Sequence, residues 1–411
     1  MEHPPPFGRT SHPSRRLELI LEPPRIGEEF VRHGCILRRI DGSDQLDTRL
    51  WYELPAHLPQ ISADDAEPFL IASILDAMEE DRDLHIGGRV SFLLLSNIQE
   101  FMAAWSRWLP ETFHVVNVTA DSITTSPDPT GLPHDGAVVL HTGGLNATST
   151  IHRHANGLEG HRSRKITAGV MVQGFLISLD NHEKFASSLE LARKALDSIG
   201  AQTYPLRTNF RDAIRADWNH AYGIAFVSVL QFFKPLARSG LIGAPKSYDD
   251  IDAFPNGSHP LTPYGSNPFT NALLSSDSLQ ILHDGSRFGL MQKTAIVAQW
   301  PEGSQNLRVC WRRGQLEAHC GTCEDCIRTK LGFLVLGKPY PASLGAPPTL
   351  GEILNLGSIS YDGRIEFLEV LAYCRTHGNK APWVRALHFR VRFDRISVKL
   401  LHWKWLVLHW L

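Results

Sequence analysis

The stretch VVLHTGGLNATST, Val138 to Thr150, decides how this chain is read. Val138, Val139 and Leu140 read as the end of a buried strand. Two glycines follow, and a run of hydroxyls opens the next helix. Glycines in such a turn let backbone N–H groups converge on an anion, and the helix start adds partial positive charge. The helix end alone supplies at most about 2 kcal/mol, so side chains or a metal ion must add the rest. Steric need alone also places Gly-Gly in many βα turns. The Gly-Lys-Ser/Thr signature appears nowhere in the chain, which argues against an ordinary P-loop nucleotidase.

Outward from the turn, GAVVLHTGG, AGVMVQGFLISLD, QTYPLRTNF and GLIGAP are short apolar strand candidates. HEKFASSLELARKALDSIG and DWNHAYGIAFVSVLQFFKPLA, between them, carry helical spacing. This alternation predicts an α/β fold, a parallel sheet with helices on both faces. In such sheets ligands sit beyond the carboxyl ends of the strands, where the glycine turn lies. Upstream, RLELILEP and GCILRRI read as strands, and AEPFLIASILDAM and NIQEFMAAWSRWLP as helices. Residues 18–125 are therefore expected to form an N-terminal α+β region, with 126–340 as the turn-bearing domain. Residues 341–411 hold two closing helices, LGAPPTLGEILNLGS and IEFLEVLAYCRTHG, and an atypical tail, FRVRFDRISVKLLHWKWLVLHWL. The tail is basic and tryptophan-rich. Its readings are an added strand or a change of reading frame, ahead of a membrane-surface segment.

The chain has 411 residues, 43% hydrophobic and 20% charged, enough for a large core. Its 41 Lys and Arg against 43 Asp and Glu leave a formal charge of −2, which disfavours nucleic acid as the main partner. Residues 1–17, polar and proline-rich, read as a disordered leader without the apolar core of a secretory signal. No apolar run approaches the roughly 20 residues that span a bilayer. The expectation is a cytoplasmic protein, in which the sequons at Asn117, Asn146 and Asn256 are coincidental.

Cys310, Cys320, Cys323 and Cys326 form a C-x9-C-x2-C-x2-C arrangement within 310–326. Four thiolates match tetrahedral zinc, and Gly321 permits the tight backbone between two of them. With all four positions filled by sulfur, the zinc is expected to be structural. Cys35 and Cys374 are isolated and read as ordinary packing residues.

Together the two motifs resemble one family. HTGGLNAT is similar to the SGGxDS pyrophosphate loop of the PP-loop ATP pyrophosphatases. The downstream cysteine segment, with CGTCEDCIRTKLGF, is similar to the zinc module that ends 7-cyano-7-deazaguanine synthase of queuosine biosynthesis. The resemblance covers about 135–337 and implies an adenine nucleotide alpha hydrolase-like fold that binds ATP with Mg²⁺. The family's serine falls on Thr142, its glycines on Gly143 and Gly144, its aspartate on Asn146 and its last serine on Ala147. Leu145 and Thr148 complete the loop. Asn146 keeps the helix-capping capacity of aspartate but not the charge that positions Mg²⁺. Ala147 lacks the phosphate-facing hydroxyl, which Thr148 or Ser149 can replace. Thr142 and Asn146 are the residues assigned to catalysis.

Thr208, Asn209 and Arg211 of RTNFRD are candidates for contact with ribose or phosphate, and a surface loop accounts for them equally well. His283, Asp284, Arg287 and Lys293 lie near another strand end, with salt-bridge or capping roles favoured for each. His152 and His154 point to different helix faces, which weakens a metal reading. His161 to Lys165 reads as a solvated basic loop. The resemblance implies an AMP-forming ATP-dependent ligase acting through an adenylate on an acceptor, small molecule or protein, that the sequence does not name. The alternative is a catalytically silent nucleotide-binding or scaffold relative, and a homodimer is compatible with either. A PP-loop tRNA-thiolating protein ranks last, because the zinc spacing consumes the cysteines.

Overall fold

Alternating burial in RRLELILEPPRI, with Leu17 and Leu19 inward, marks the first strand as one-sided, whereas GAVVL is buried at every position. The structure is a computed structural model that describes residues 15–125, 135–250, 264–310 and 319–393. In chain order its N-terminal part comprises β1 (Arg15–Ile26), β2 (Phe30–Asp41), β3 (Asp44–Pro55), α1 (Glu67–Glu79), β4 (Asp83–Ser91), α2 (Phe92–Trp108) and β5 (Val118–Thr124). The next part runs β6 (Gly136–Leu140), α3 (Leu145–Ala155), β7 (Lys165–Gln173), α4 (His182–Asp197), β8 (Gln202–Thr208), α5 (Phe210–Ala213), α6 (Trp218–Gln231), β9 (Ser239–Gly243) and β10 (Gln280–Asp284). After it come α7 (Leu290–Val297), α8 (Pro301–Gln305), α9 (Glu324–Leu336), α10 (Leu350–Leu354) and α11 (Tyr361–Thr376), then a helical stretch over 382–393.

One ten-stranded sheet runs through the molecule in the order β10-β9-β6-β7-β8-β3-β2-β1-β4-β5. From β10 to β8 all pairs are parallel, β1 to β3 form an antiparallel meander, and β4 and β5 continue parallel to β1. The expected α/β architecture, with a mostly parallel sheet, is therefore present. Val138 and Leu140 of β6 share one core with Ile224 and Leu230 of α6. Ala137 and Val139 pack on the other side with Ile151 of α3 and Leu196 of α4. Helices cover both faces here.

The N-terminal region, read from sequence as a unit of its own, shares its sheet and core with the rest. β3 pairs antiparallel with β8 through only two residue pairs, Tyr52 with Thr208 and Glu53 with Arg207. Side chains extend this short ladder: Asn209 Oδ1 accepts the Trp51 N–H at 2.9 Å, and its Nδ2 donates to the Arg49 carbonyl at 2.8 Å. Asp76 of α1, buried, accepts the backbone N–H groups of Arg215 and Ala216 while pairing with Arg39 at 2.5 Å. A single apolar cluster contains Tyr52, Phe69, Leu230 and Phe232.

Three sequence expectations change. The apolar run after Gln173 does not extend β7, because Gly174 turns the chain at φ +105°, where a Cβ would lie 1.8 Å from the Thr208 carbonyl oxygen. The first of the two closing helices is short, Leu350–Leu354, held by a Thr349–Glu352 capping box. The segment read as an added strand begins helically, over 389–393. Its remainder, 394–411, lies outside the described residues, as do 1–14, 126–134, 251–263 and 311–318. β1 begins at Arg15, inside the stretch read as a leader. Among the described residues, no helix is long and apolar enough to cross a membrane.

Candidate functional site: a glycine turn beside a four-cysteine centre

From β8 inward the parallel strands run β8-β7-β6, and after β6 the order reverses to β9 and β10. The crevice at such a reversal is where open α/β sheets place their ligands. The residues that follow β6 at this point are His141, Thr142, Gly143 and Gly144. Gly143 sits at φ +80°, a conformation that favours glycine. Gly144 is the N-cap of α3, and among the described residues no side chain caps that helix. Thr142 Oγ1 faces the Gly144 N–H at 3.4 Å. Gly243 at the end of β9 lets α3 approach closely, since a Cβ there would lie 2.8 Å from the Asn146 carbonyl carbon.

A segment remote in sequence closes over the turn. The Arg308 N–H donates to the Gly143 carbonyl at 2.8 Å. A Cβ on Gly143 would stand 3.0 Å from the Arg308 Cβ. Arg308 is 1% exposed. Burial pulls its guanidinium down to about 10, against the opposing influence of Cys310, so it stays cationic at neutral pH. Lys184, buried in the first turn of α4, is lowered by burial and then by the charge of Arg308, with Cys310 and Cys320 acting the other way. Two buried cations thus lie within electrostatic reach of each other beside the turn. Thr142 and Arg308 also supply the polar lining of a cavity of about 20 Å³, otherwise walled by Leu140, Val170, Phe175 and other apolar groups. That volume suits one water, so a nucleotide at the turn must lie outside it or open it.

The loop residues themselves are divided. Asn146 is half-buried, while Ala147 is buried. The Thr148 hydroxyl donates to the Gly144 carbonyl at 2.9 Å, and Ser149 is fully buried. Neither hydroxyl therefore replaces the one that Ala147 lacks. Asn209 is engaged by the β3 backbone as described. Arg211 donates to the Phe175 carbonyl at 3.4 Å and stacks over Trp218. Thr208 donates to the Trp51 carbonyl at 2.8 Å. These three serve the β3–β8 junction and its surroundings.

The cysteines are brought together. The four Sγ atoms of Cys310, Cys320, Cys323 and Cys326 all lie within 4.8 Å of one another. The Cys320–Cys326 and Cys310–Cys323 separations are both 3.9 Å. Four sulfurs at about 2.3 Å from one ion in a tetrahedron would stand about 3.8 Å apart, so the set can hold a metal ion. Gly321 at φ +78° makes the turn between the first C-x2-C pair, and the Cys323 N–H points to Cys320 Sγ at 3.2 Å. Hydrogen bonding between the two thiols pulls Cys323 down and pushes Cys326 up, so the pair shares a proton where no ion holds it. Cys35 is buried in the main core, and Cys374 is buried in the apolar cluster around the four cysteines without being one of that set.

The remaining candidates are structural. Asp284, at the end of β10, pairs with Arg153, contacts His154 Nε2 at 3.3 Å and accepts from Thr150 Oγ1 at 3.0 Å. Burial raises its carboxyl, but hydrogen bonding from His154 and the charge of Arg153 prevail and hold it well below the usual range. His154 Nδ1 accepts the Arg164 N–H at 3.0 Å, which leaves Nε2–H for Asp284. His152 instead stacks on Trp300, so the two histidines do face apart. Arg287 pairs with Glu159 at 3.0 Å, and Lys293 donates to the Ala244 carbonyl at 2.7 Å. His161 and Arg162 are exposed.

His141, Lys184 and Arg308 were not singled out by sequence reasoning. His141 had a local signal, since it directly precedes the turn. Its ring is buried, with no partner for Nδ1 among the described residues, and burial lowers it to about 4. His283 is likewise lowered to about 4, by burial and then by Lys293. An unfolded histidine titrates near 6.5, so as pH falls the unfolded chain takes up the proton first. The stabilising contribution is complete above that value and is lost as pH drops towards 4. Urea unfolding free energy should therefore decline across this window, and His141→Leu should flatten the decline. Equal slopes in variant and wild type would place the titration elsewhere.

No protein-family model, no curated protein and no solved structure matches the chain.

Proposed function

We propose that the protein is an ATP-dependent carbon–nitrogen ligase of the AMP-forming kind, akin to 7-cyano-7-deazaguanine synthase. The observation that carries this reading is the uncapped glycine turn at the strand-order reversal, with buried Arg308 and Lys184 beside it. Backbone N–H groups from Leu145 to Ala147 and the Thr142 hydroxyl would hold the outgoing pyrophosphate, with Arg308 and Lys184 adding charge. A carboxylate oxygen of the acceptor attacks the α-phosphorus, and the bond to the pyrophosphate oxygen breaks. An amine or ammonia then attacks the acyl carbon, the bond to the AMP oxygen breaks, and the amide forms with release of AMP and a proton. Mg²⁺ would enter with the nucleotide. In this reading the four-cysteine centre holds zinc in a structural role, since it offers no open position.

A second reading, nucleotide binding without turnover, is favoured by one specific feature. Asn146 is uncharged and Ala147 carries no hydroxyl, so the first turn of α3 lacks a group to position Mg²⁺. Losing one such contact costs about 2.7–4 kcal/mol in comparable sites, a deep reduction in rate.

Gly144→Asp tests both. Aspartate is a preferred N-cap, and the space there is sufficient, with the nearest atom, Thr142 Oγ1, 3.4 Å from the new Cβ. The variant should fold at least as well as wild type while placing a carboxylate on the amides meant for phosphate. Calorimetric titration with Mg-ATP should show saturable binding by the wild type and none by the variant. Release of AMP and pyrophosphate, rather than ADP and phosphate, identifies the ligase. Binding without release supports the silent relative, and no binding at millimolar ATP by folded protein removes both readings.

A further inference from the structure

The metal centre and the glycine turn touch the same four residues of chain. Arg308, whose N–H binds the Gly143 carbonyl at 2.8 Å, stands two positions before Cys310. The other arm of the cysteine module reaches the same segment, because His319, next to Cys320, bonds through Nε2 to the Leu307 carbonyl at 2.9 Å. Leu307, Val309 and Cys310 belong to one apolar cluster with Leu145, the first residue of α3, and with Cys323 and Cys326. The segment 307–310 is thus gripped on one side by the cysteine module and on the other by the turn.

We propose that residues 307–310 form a coupling strap, with Arg308 as a positioning residue, through which metal binding at the four cysteines sets the conformation of the glycine turn. When the ion draws Cys310 towards the three cysteines of 320–326, Arg308 is held over Gly143, and the turn is fixed at the positive φ that exposes its amides. Without the ion Cys310 is released, the strap lifts and the turn loses its lid. Coupling of this kind is reciprocal in free energy: whatever strengthens the strap's hold on the turn must strengthen metal binding. The coupling itself stands independently of the ligase reading, and only its extension to anions rests on that reading.

Gly143→Ala is the primary test. Its Cβ would meet the Arg308 Cβ at 3.0 Å and push the strap away, although residue 143 is no metal ligand. Gly157→Ala serves as control, because Gly157 also has positive φ, +67°, but has nothing within 4 Å of the new Cβ. With Zn²⁺ as the probe metal, transfer to a chromophoric chelator should be about tenfold faster in Gly143→Ala, within the usual range of coupling, and unchanged in Gly157→Ala. In the wild type, removal of Zn²⁺ should speed amide exchange over 141–150. Equal transfer rates in the two variants, together with unchanged exchange in the wild type, would overturn the coupling. Should Gly143→Ala fail to fold, Arg308→Gly, which removes the Cβ standing over Gly143 and is no metal ligand, takes its place in the transfer assay.

Inorganic pyrophosphate with equimolar Mg²⁺ supplies the last arm. It should slow Zn²⁺ transfer from the wild type but not from Gly144→Asp, which also controls for chelation by pyrophosphate itself. Faster transfer in Gly143→Ala with no pyrophosphate binding would keep the strap and remove the ligase reading. Pyrophosphate binding with no change in Zn²⁺ transfer would overturn the extension of the coupling to anions and keep the ligase reading.

Discussion

Replacing Cys326 by serine, or chelating the zinc proposed for Cys310, Cys320, Cys323 and Cys326, is expected to unfold the C-terminal helical layer while leaving the sheet folded. The cysteines lie in an apolar cluster with Leu290 and Met291 of α7, Ile327 and Leu331 of α9, and Phe367 and Val370 of α11. That cluster is separate from the core that joins β1, α1 and α6. Structural zinc contributes about 10–16 kcal/mol of apparent free energy in small modules, comparable to the whole stability of a typical domain. A layer organised around such an ion has little left without it. Far-UV circular dichroism should show partial loss of helix on chelation, and amide exchange should rise over 290–393 while β1 to β4 stay protected. Identical thermal unfolding of chelated and metal-loaded protein would remove the ion's structural role.

Asp284→Ala, at the end of β10, is expected to cost about 3–5 kcal/mol, because it takes a carboxylate from buried Arg153. Arg153 and Asp284 are each only 2% exposed, and Thr150 and His154 face the same carboxylate. Glu159 still pairs with Arg153 in the variant, which keeps the expected loss from rising further. The double variant Asp284→Ala with Arg153→Met should recover part of the loss, since the buried guanidinium is gone and Glu159 keeps its pair with Arg287. Urea denaturation of the four proteins closes the cycle. A loss below about 1 kcal/mol for Asp284→Ala would mean that water reaches the network, as it does for surface ion pairs.

Legibility followed the range of the forces involved. The glycine turn was visible because a strand end, a glycine pair and a helix start are local, and each residue's conformational demand is written at its own position. The cysteines were visible because metal ligation selects residue type and short spacing together. β5, VTADSIT, was missed because an edge strand has only one neighbour and mostly exposed side chains, so little apolar pattern is required of it. β3 was missed because its first half is exposed and polar and only its second half is buried. Asn209 was read as a ligand candidate from its place at a strand end. The structure spends its amide on β3, a segment more than 150 residues upstream.

By itself the sequence determined the alternation of strands and helices, the parallel sheet with its turn at a carboxyl end, and the four sulfurs that share one centre. These follow from periodicity, backbone sterics and ligand spacing, which act over a few residues. Tertiary structure alone decided that the N-terminal meander joins the same sheet through β3 and β8, and that Asp284 serves a buried ion network. It alone placed Arg308 across the glycine turn, within two residues of one of the four clustered cysteines. Each of these depends on which distant segments can bury apolar surface together, and no local pattern of residues encodes the partner.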